Sequence, residues 1–106
     1  MKNFLLGITM AGMLSVSAMA ADMPPLAKKN GCVACHSIEV KKVGPAWMDV
    51  SKKYKGDATA EEKLIAKVSK GGKGVWGNIA MPPQDAAGKK QEDIKQLVEF
   101  VLSLDK

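Results

Sequence analysis

The run Cys32-Val33-Ala34-Cys35-His36 constrains this chain more than anything else in it. Its two thiols lie about one turn of chain apart, and the imidazole follows the second with no spacer. They are the only two cysteines, and His36 is the only histidine. A disulfide between them would close a tiny loop and restrict little of the unfolded chain. Zinc normally takes four nitrogen or sulfur ligands, so a zinc site here would need carboxylates to complete it. A thioredoxin-type dithiol expects a βαβ setting, which the flanking sequence does not offer. What remains is thioether attachment of a porphyrin, in which each thiol adds to one vinyl group and the adjacent imidazole turns onto the iron. Cys-x-x-Cys-His is the sequence sign of that attachment.

Residues 1–20 read as a secretory signal peptide. Met1-Lys2-Asn3 is a short basic start, Phe4 to Leu14 is apolar, and Ala18-Met19-Ala20 is a small-x-small cleavage site. A retained membrane anchor is the alternative, but the apolar run is short for a bilayer and interrupted by Gly and Thr. Cleavage would leave one small domain, residues 21–106, near the lower limit at which an apolar core alone is dependable. An apolar cofactor would supply the missing core.

The whole chain carries 16 basic and 11 acidic residues, formally +5, and loss of the leader removes only Lys2 from that balance. Every basic residue is lysine. The absence of arginine forks argues against a dedicated nucleic-acid binder. Lysine point charges suit long-range steering and fast release.

Four helices are expected, and no period-two strand. Pro24 and Pro25 precede Leu26 to Asn30, where proline fits a first helical turn, and Gly31 ends the segment. Trp47, Val50 and Tyr54 mark a second helix, opened by Gly44-Pro45 and closed at Gly56. Thr59 with Glu62 has the form of a capping box opening a third, whose stripe of Leu64, Ile65 and Val68 stops at Gly71-Gly72. Ile94, Leu97, Val98, Val101 and Leu102 give the strongest helical pattern. Between the last two helices, Gly71 to Gly88 is a long loop dense in Gly and Pro. A loop of that length in so small a domain is expected to carry function.

With no second histidine, the other face of the iron is left to methionine, lysine or an exogenous ligand. Met23 precedes the first helix and Met48 follows Trp47 within a helix, so both read as packing residues. Met81 is stiffened by Pro82 and Pro83 and preceded by glycines that let the backbone turn. Far enough from His36 for the chain to pass round a porphyrin, it is the candidate sixth ligand, with ordinary core methionine as the alternative. A soft thioether opposite imidazole raises the reduction potential. Trp76 could donate its indole N–H to a propionate or pack as a core aromatic; its chemistry alone leaves both open.

Taken together, Gly31-Cys32-Val33-Ala34-Cys35-His36, Val43-Gly44-Pro45-Ala46, Gly74-Val75-Trp76-Gly77 and Ile79-Ala80-Met81-Pro82-Pro83 resemble the small bacterial class I cytochromes of the cytochrome c-551/c-552 type. The resemblance spans the chain beyond the leader. It implies a compact all-α class I cytochrome c fold, about four short helices wrapped around one covalently attached haem c with one edge showing. It makes residues 21–106 a cytochrome c domain, Cys32 and Cys35 the thioether attachments, and His36 and Met81 the iron ligands. It gives Pro45 a backbone carbonyl bonded to the second nitrogen of His36, and Trp76 a propionate. Gln84 stands where several relatives have Asn, Lys67 where some have Arg, and Phe100 where a Trp often packs.

The function expected is that of a periplasmic electron carrier, passing single electrons between larger respiratory complexes through the haem edge, rather than that of an enzyme. Lys28, Lys29, Lys41, Lys42 and Lys73 are the candidate steering charges. The resemblance suggests a cytochrome bc complex as donor and a nitrite reductase or terminal oxidase as acceptor, met by a monomer in small, short-lived encounters. The competing reading is a haem peroxidase or small-molecule sensor in which Met81 leaves the iron, although the sequence has no distal His or Arg to assist peroxide cleavage.

Overall fold

In the C-terminal helix, Ile94, Leu97, Val98 and Val101 fall on one face and are all buried, at 2 to 7% exposure. Each such side chain contributes roughly 1.5–3 kcal/mol when removed from water. The computed structural model describes residues 22–105, so the expected signal peptide at 1–20 lies outside the described residues. Among the described residues four α-helices follow one another: α1 Pro25–Lys29, α2 Trp47–Lys53, α3 Ala60–Lys70 and α4 Gln91–Leu102. Among the described residues there is no strand, only an isolated bridge between Gly72 and Met81. The fold is the all-α one expected.

Helix α4 is the hub. It packs most extensively on α3, then on α2 and α1. Ala27 of α1, Trp47 and Val50 of α2 and Leu64 of α3 join its apolar face in one core cluster, together with Ile38. The end of α4 is tied down by Ser51 of α2, only 1% exposed. Its hydroxyl donates to Leu102 O at 3.2 Å and accepts from Asp105 N–H at 2.9 Å. A buried hydroxyl with both roles filled costs little to bury, whereas one stripped of its partners would cost its desolvation.

Helix α1 begins with proline in its first turn, as expected, and Gly31 leaves it in the left-handed region at φ 74°. The expected capping box at Thr59 is not formed. The Thr59 side chain makes no cap bond; its hydroxyl instead donates to Asp57 Oδ1 at 2.7 Å, and its N–H does the same at 2.8 Å. Asp57 also pairs with Lys63 at 3.1 Å. The aspartate competes better than Glu62 because it lies two residues upstream, where a short carboxylate closes a local turn over the backbone. Glu61 and Glu62 in the first turn of α3, with Lys67 and Lys70 in its last, complement the helix dipole.

Candidate haem-binding site

Residues 32–34 form a single 3₁₀ turn, a feature the sequence pattern does not signal, entered through left-handed Gly31. Cys35 N–H and His36 N–H both donate to Cys32 O, at 3.1 and 2.9 Å. That turn sets the two thiols and the imidazole in one compact group. Both cysteines are free and half-buried. Burial pushes the Cys32 thiol above its ordinary value, with the neighbouring Cys35 adding to the effect and a backbone hydrogen bond opposing it. Lys42, one of the candidate steering lysines, reaches back over the turn and donates to Val33 O at 2.9 Å.

The His36 ring is held from three directions. Its Nδ1 lies 2.8 Å from Pro45 O. A carbonyl oxygen can only accept, so Nδ1 carries the proton and Nε2 keeps the lone pair that a metal needs. One face of the ring lies so close to Gly44 that a Cβ there would come 2.5 Å from Cε1 and 2.9 Å from Nδ1. Only the residue without a side chain fits. Trp47 packs against the imidazole at 5.8 Å between centroids, and Phe100 of α4 meets Trp47 edge-on at 6.0 Å. An unbroken stack thus runs from the histidine into the helical core.

Met81 sits on the loop between α3 and α4. Its N–H donates to Gly72 O and Gly72 N–H donates to Met81 O, both at 2.9 Å, so the loop is pinched at its base. Gly71 makes the pinch feasible. Its φ of 75° with ψ of −166° belongs to glycine, and a Cβ there would lie 2.5 Å from Met81 O and 2.7 Å from Pro83 N. Met81 is half-buried while residues 72–80 are exposed. Met81 and His36 belong to separate loops. Gln84 turns its amide back to donate to Pro82 O at 3.1 Å. Trp76 is 41% exposed. The Lys53 amine lies 5.8 Å over its ring and 5.9 Å over that of Tyr54, joining the loop to α2.

The donor set and its surroundings fit a porphyrin. Among the described residues the large exposed apolar side chains, Val40, Val43, Val75, Trp76 and Ile79, all lie on the two loops that follow His36 and that carry Met81, and none on a helix. Apolar residues concentrated in this way mark a binding surface, and here they accompany two thiols one turn apart, an imidazole with Nε2 free and a thioether. Gly44, Gly71, Lys53 and Asp85 take part in holding the site without any site role being legible for them in the sequence. Gly44 signals only a helix start there, Gly71 and Lys53 act through partners ten or more residues away, and the side chain of Asp85 bonds to the start of α4 ahead of it.

An all-α domain built on a Cys-x-x-Cys-His turn defines a class I c-type cytochrome. The family model described as cytochrome c matches residues 21–105. Cytochrome c-552 of Hydrogenobacter thermophilus is 43% identical over 104 residues, covering 98% of this chain and 99% of that protein. Cytochrome c-551 of Allochromatium vinosum is 52% identical over 79 residues, 74% of this chain and 82% of its own. The crystal structure of Nitrosomonas europaea cytochrome c552 superimposes with a TM-score of 0.69 at 44% identity, over 74% of this chain and 95% of that one. The chain belongs to the small bacterial class I cytochromes c of the c-551/c-552 family. It is a single-electron carrier and not an enzyme, with one haem c attached through its two cysteines, Cys32 and Cys35. No helix among the described residues is long and apolar enough to cross a membrane.

Proposed function

We propose that His36 and Met81 would both hold the haem iron, and that this pair of protein ligands is what dedicates the chain to electron transfer. The observation that carries the reading is the Nδ1 contact to Pro45 O at 2.8 Å, which leaves Nε2 as the free donor of a ring that cannot swing. When bound, the haem supplies a one-electron couple between ferric and ferrous iron. His36 donates its Nε2 lone pair while Pro45 keeps the proton on Nδ1. Met81 would contribute a soft thioether that favours the reduced state and keeps small molecules off the iron. Trp76 donates its in-plane indole N–H to a propionate, a role compatible with a lysine amine over the ring face.

The carrier works in the periplasm, reached through a signal peptide at residues 1–20 removed ahead of the 21–106 domain. As a monomer it meets acidic docking patches on larger redox proteins through Lys28, Lys29, Lys41, Lys42 and Lys73. A cytochrome bc complex is the proposed donor and a nitrite reductase or terminal oxidase the proposed acceptor.

The decisive measurement is the absorption spectrum of the haem-loaded protein. A thioether-linked haemochrome together with the weak near-red band of ferric iron bonded to methionine is expected. Met81→Ala should abolish that band and admit imidazole or cyanide. Survival of the band would remove Met81 from the iron. Partner association rates that did not fall with rising salt would count against the lysine surface.

A further inference from the structure

Four residues after Met81, Asp85 is only 8% exposed although it is a carboxylate on a loop. Its two oxygens accept three hydrogen bonds. Lys89 N–H binds Oδ1 at 2.7 Å, and Lys90 N–H and the Gln91 side-chain amide bind Oδ2 at 2.9 and 2.7 Å. The residue at the N-cap position of α4, Lys90, makes no side-chain cap bond, so Asp85 performs that duty from a distance.

The same segment is tied to the preceding helix. Gln84 N–H donates to Val68 O at 3.0 Å and Asp85 N–H to Ser69 O at 3.1 Å, filling carbonyls at the end of α3. Gln91 completes the junction by donating to Ser69 Oγ at 2.9 Å as well as to Asp85. Ser69 is itself buried at 7% exposure. End of α3, exit of the Met81 loop and start of α4 therefore meet at one residue, whose N–H faces α3 and whose carboxylate faces α4. Between Met81 and this junction stand Pro82 and Pro83, which cannot donate hydrogen bonds and hold φ nearly fixed. A stiff strut thus connects the junction to the methionine.

We infer that Asp85 is a positioning residue for Met81: by anchoring the exit of the loop it sets how much of the time the thioether stays on the iron. The inference rests on Met81 being the sixth ligand. Imidazole, the probe, binds only where the methionine has left, so its apparent affinity reports the dissociated fraction. In Asp85→Asn, one oxygen still serves Lys89 N–H while an amide nitrogen would face Lys90 N–H and Gln91, both donors. Ferric haem-loaded Asp85→Asn should bind imidazole on the order of tenfold more tightly than the parent, because the dissociated fraction rises in that proportion.

Gln91→Ala, which removes one of the three donors, should shift affinity in the same direction by less and serves if Asp85→Asn does not fold. Helical circular dichroism and the Soret band should remain those of the parent. Imidazole affinity unchanged to within about twofold, alongside a lowered melting temperature, would make Asp85 a helix cap alone and overturn the inference. Met81→Ala separates the two ideas. If it keeps the near-red band, the ligand assignment fails and the inference falls with it. If it loses the band and Asp85→Asn binds imidazole like the parent, only the inference falls.

Discussion

His36 and Met81 are held by opposite strategies. The histidine is built into the interior: Trp47 links it to Phe100 of α4, Gly44 lies flat on it, and Pro45 fixes its proton. The methionine hangs from a mostly exposed loop secured at its base by a two-bond bridge with Gly72 and at its exit by Asp85. Disturbing the first region should therefore cost global stability. Disturbing the second should cost the proposed Met81 ligation first, since loops held by a few hydrogen bonds open locally at lower free energy than the core.

The largest effect should follow from Trp47→Ala, which empties the stack behind His36 and should destabilise the protein by about 3–5 kcal/mol. Thermal unfolding of the haem-loaded variant checks it; a melting temperature near the parent's would break the contrast. Gly71→Ala tests the other region. Strain at its glycine-only backbone angles costs of order 1–3 kcal/mol, and the methyl group also strikes Met81 O and Pro83 N. Loss of the near-red band at a temperature where the helices stay folded is expected, whereas simultaneous loss of both would show that the loop and core unfold as one unit.

A smaller change comes from Lys53→Gln, which removes the amine from the Trp76 and Tyr54 rings. Such an exposed contact contributes about 0.5–1 kcal/mol, so imidazole affinity should rise slightly while the melting curve hardly moves. Acid gives the finest discrimination. Asp85 is held below its ordinary value chiefly by the Gln91 amide, with backbone N–H groups adding to it and burial opposing it, while Lys70 and Glu62 line the same cleft. A carboxylate with a depressed folded pKa stabilises fully above its unfolded value and loses that contribution as pH falls through the folded one. The near-red band of the parent should weaken as pH falls below about 4, and Asp85→Asn should flatten that dependence. Asp57 offers a control, because its partners Thr59 and Lys63 hold it at about 2 and it lies outside both regions. Asp57→Asn should leave the band's acid profile unchanged.

The two regions also differ in how much of each is legible in the amino-acid sequence. The four helices, the Cys-x-x-Cys-His motif and the Gly-Pro entry to α2 announce themselves through neighbours in sequence, and α4 shows its buried face as a plain i, i+3, i+4, i+7 repeat. Met81 stands out because prolines stiffen it. The loop's fastenings are another matter. Gly71 is required by Met81 and Pro83, ten and more residues further on, and the Ser69 contacts of Asp85 and Gln91 cross from the loop exit to α3, so neither follows from neighbours in sequence. At Thr59 the local pattern points to the wrong acceptor, since a capping box and a turn closed by Asp57 compete for the same backbone N–H groups.

The proline carbonyl beside His36 has one further consequence. An electron moves fastest between partners whose atoms scarcely shift when the charge arrives. Pro45 cannot rotate about φ, Gly44 blocks one face, and the Trp47 stack supports the ring from the core. In its proposed role as iron ligand, an imidazole confined in this way would have little room to shift when an electron arrives. Such stillness would let the chain trade electrons with little rearrangement on that side, much as a preorganised active site avoids reorganisation during reaction.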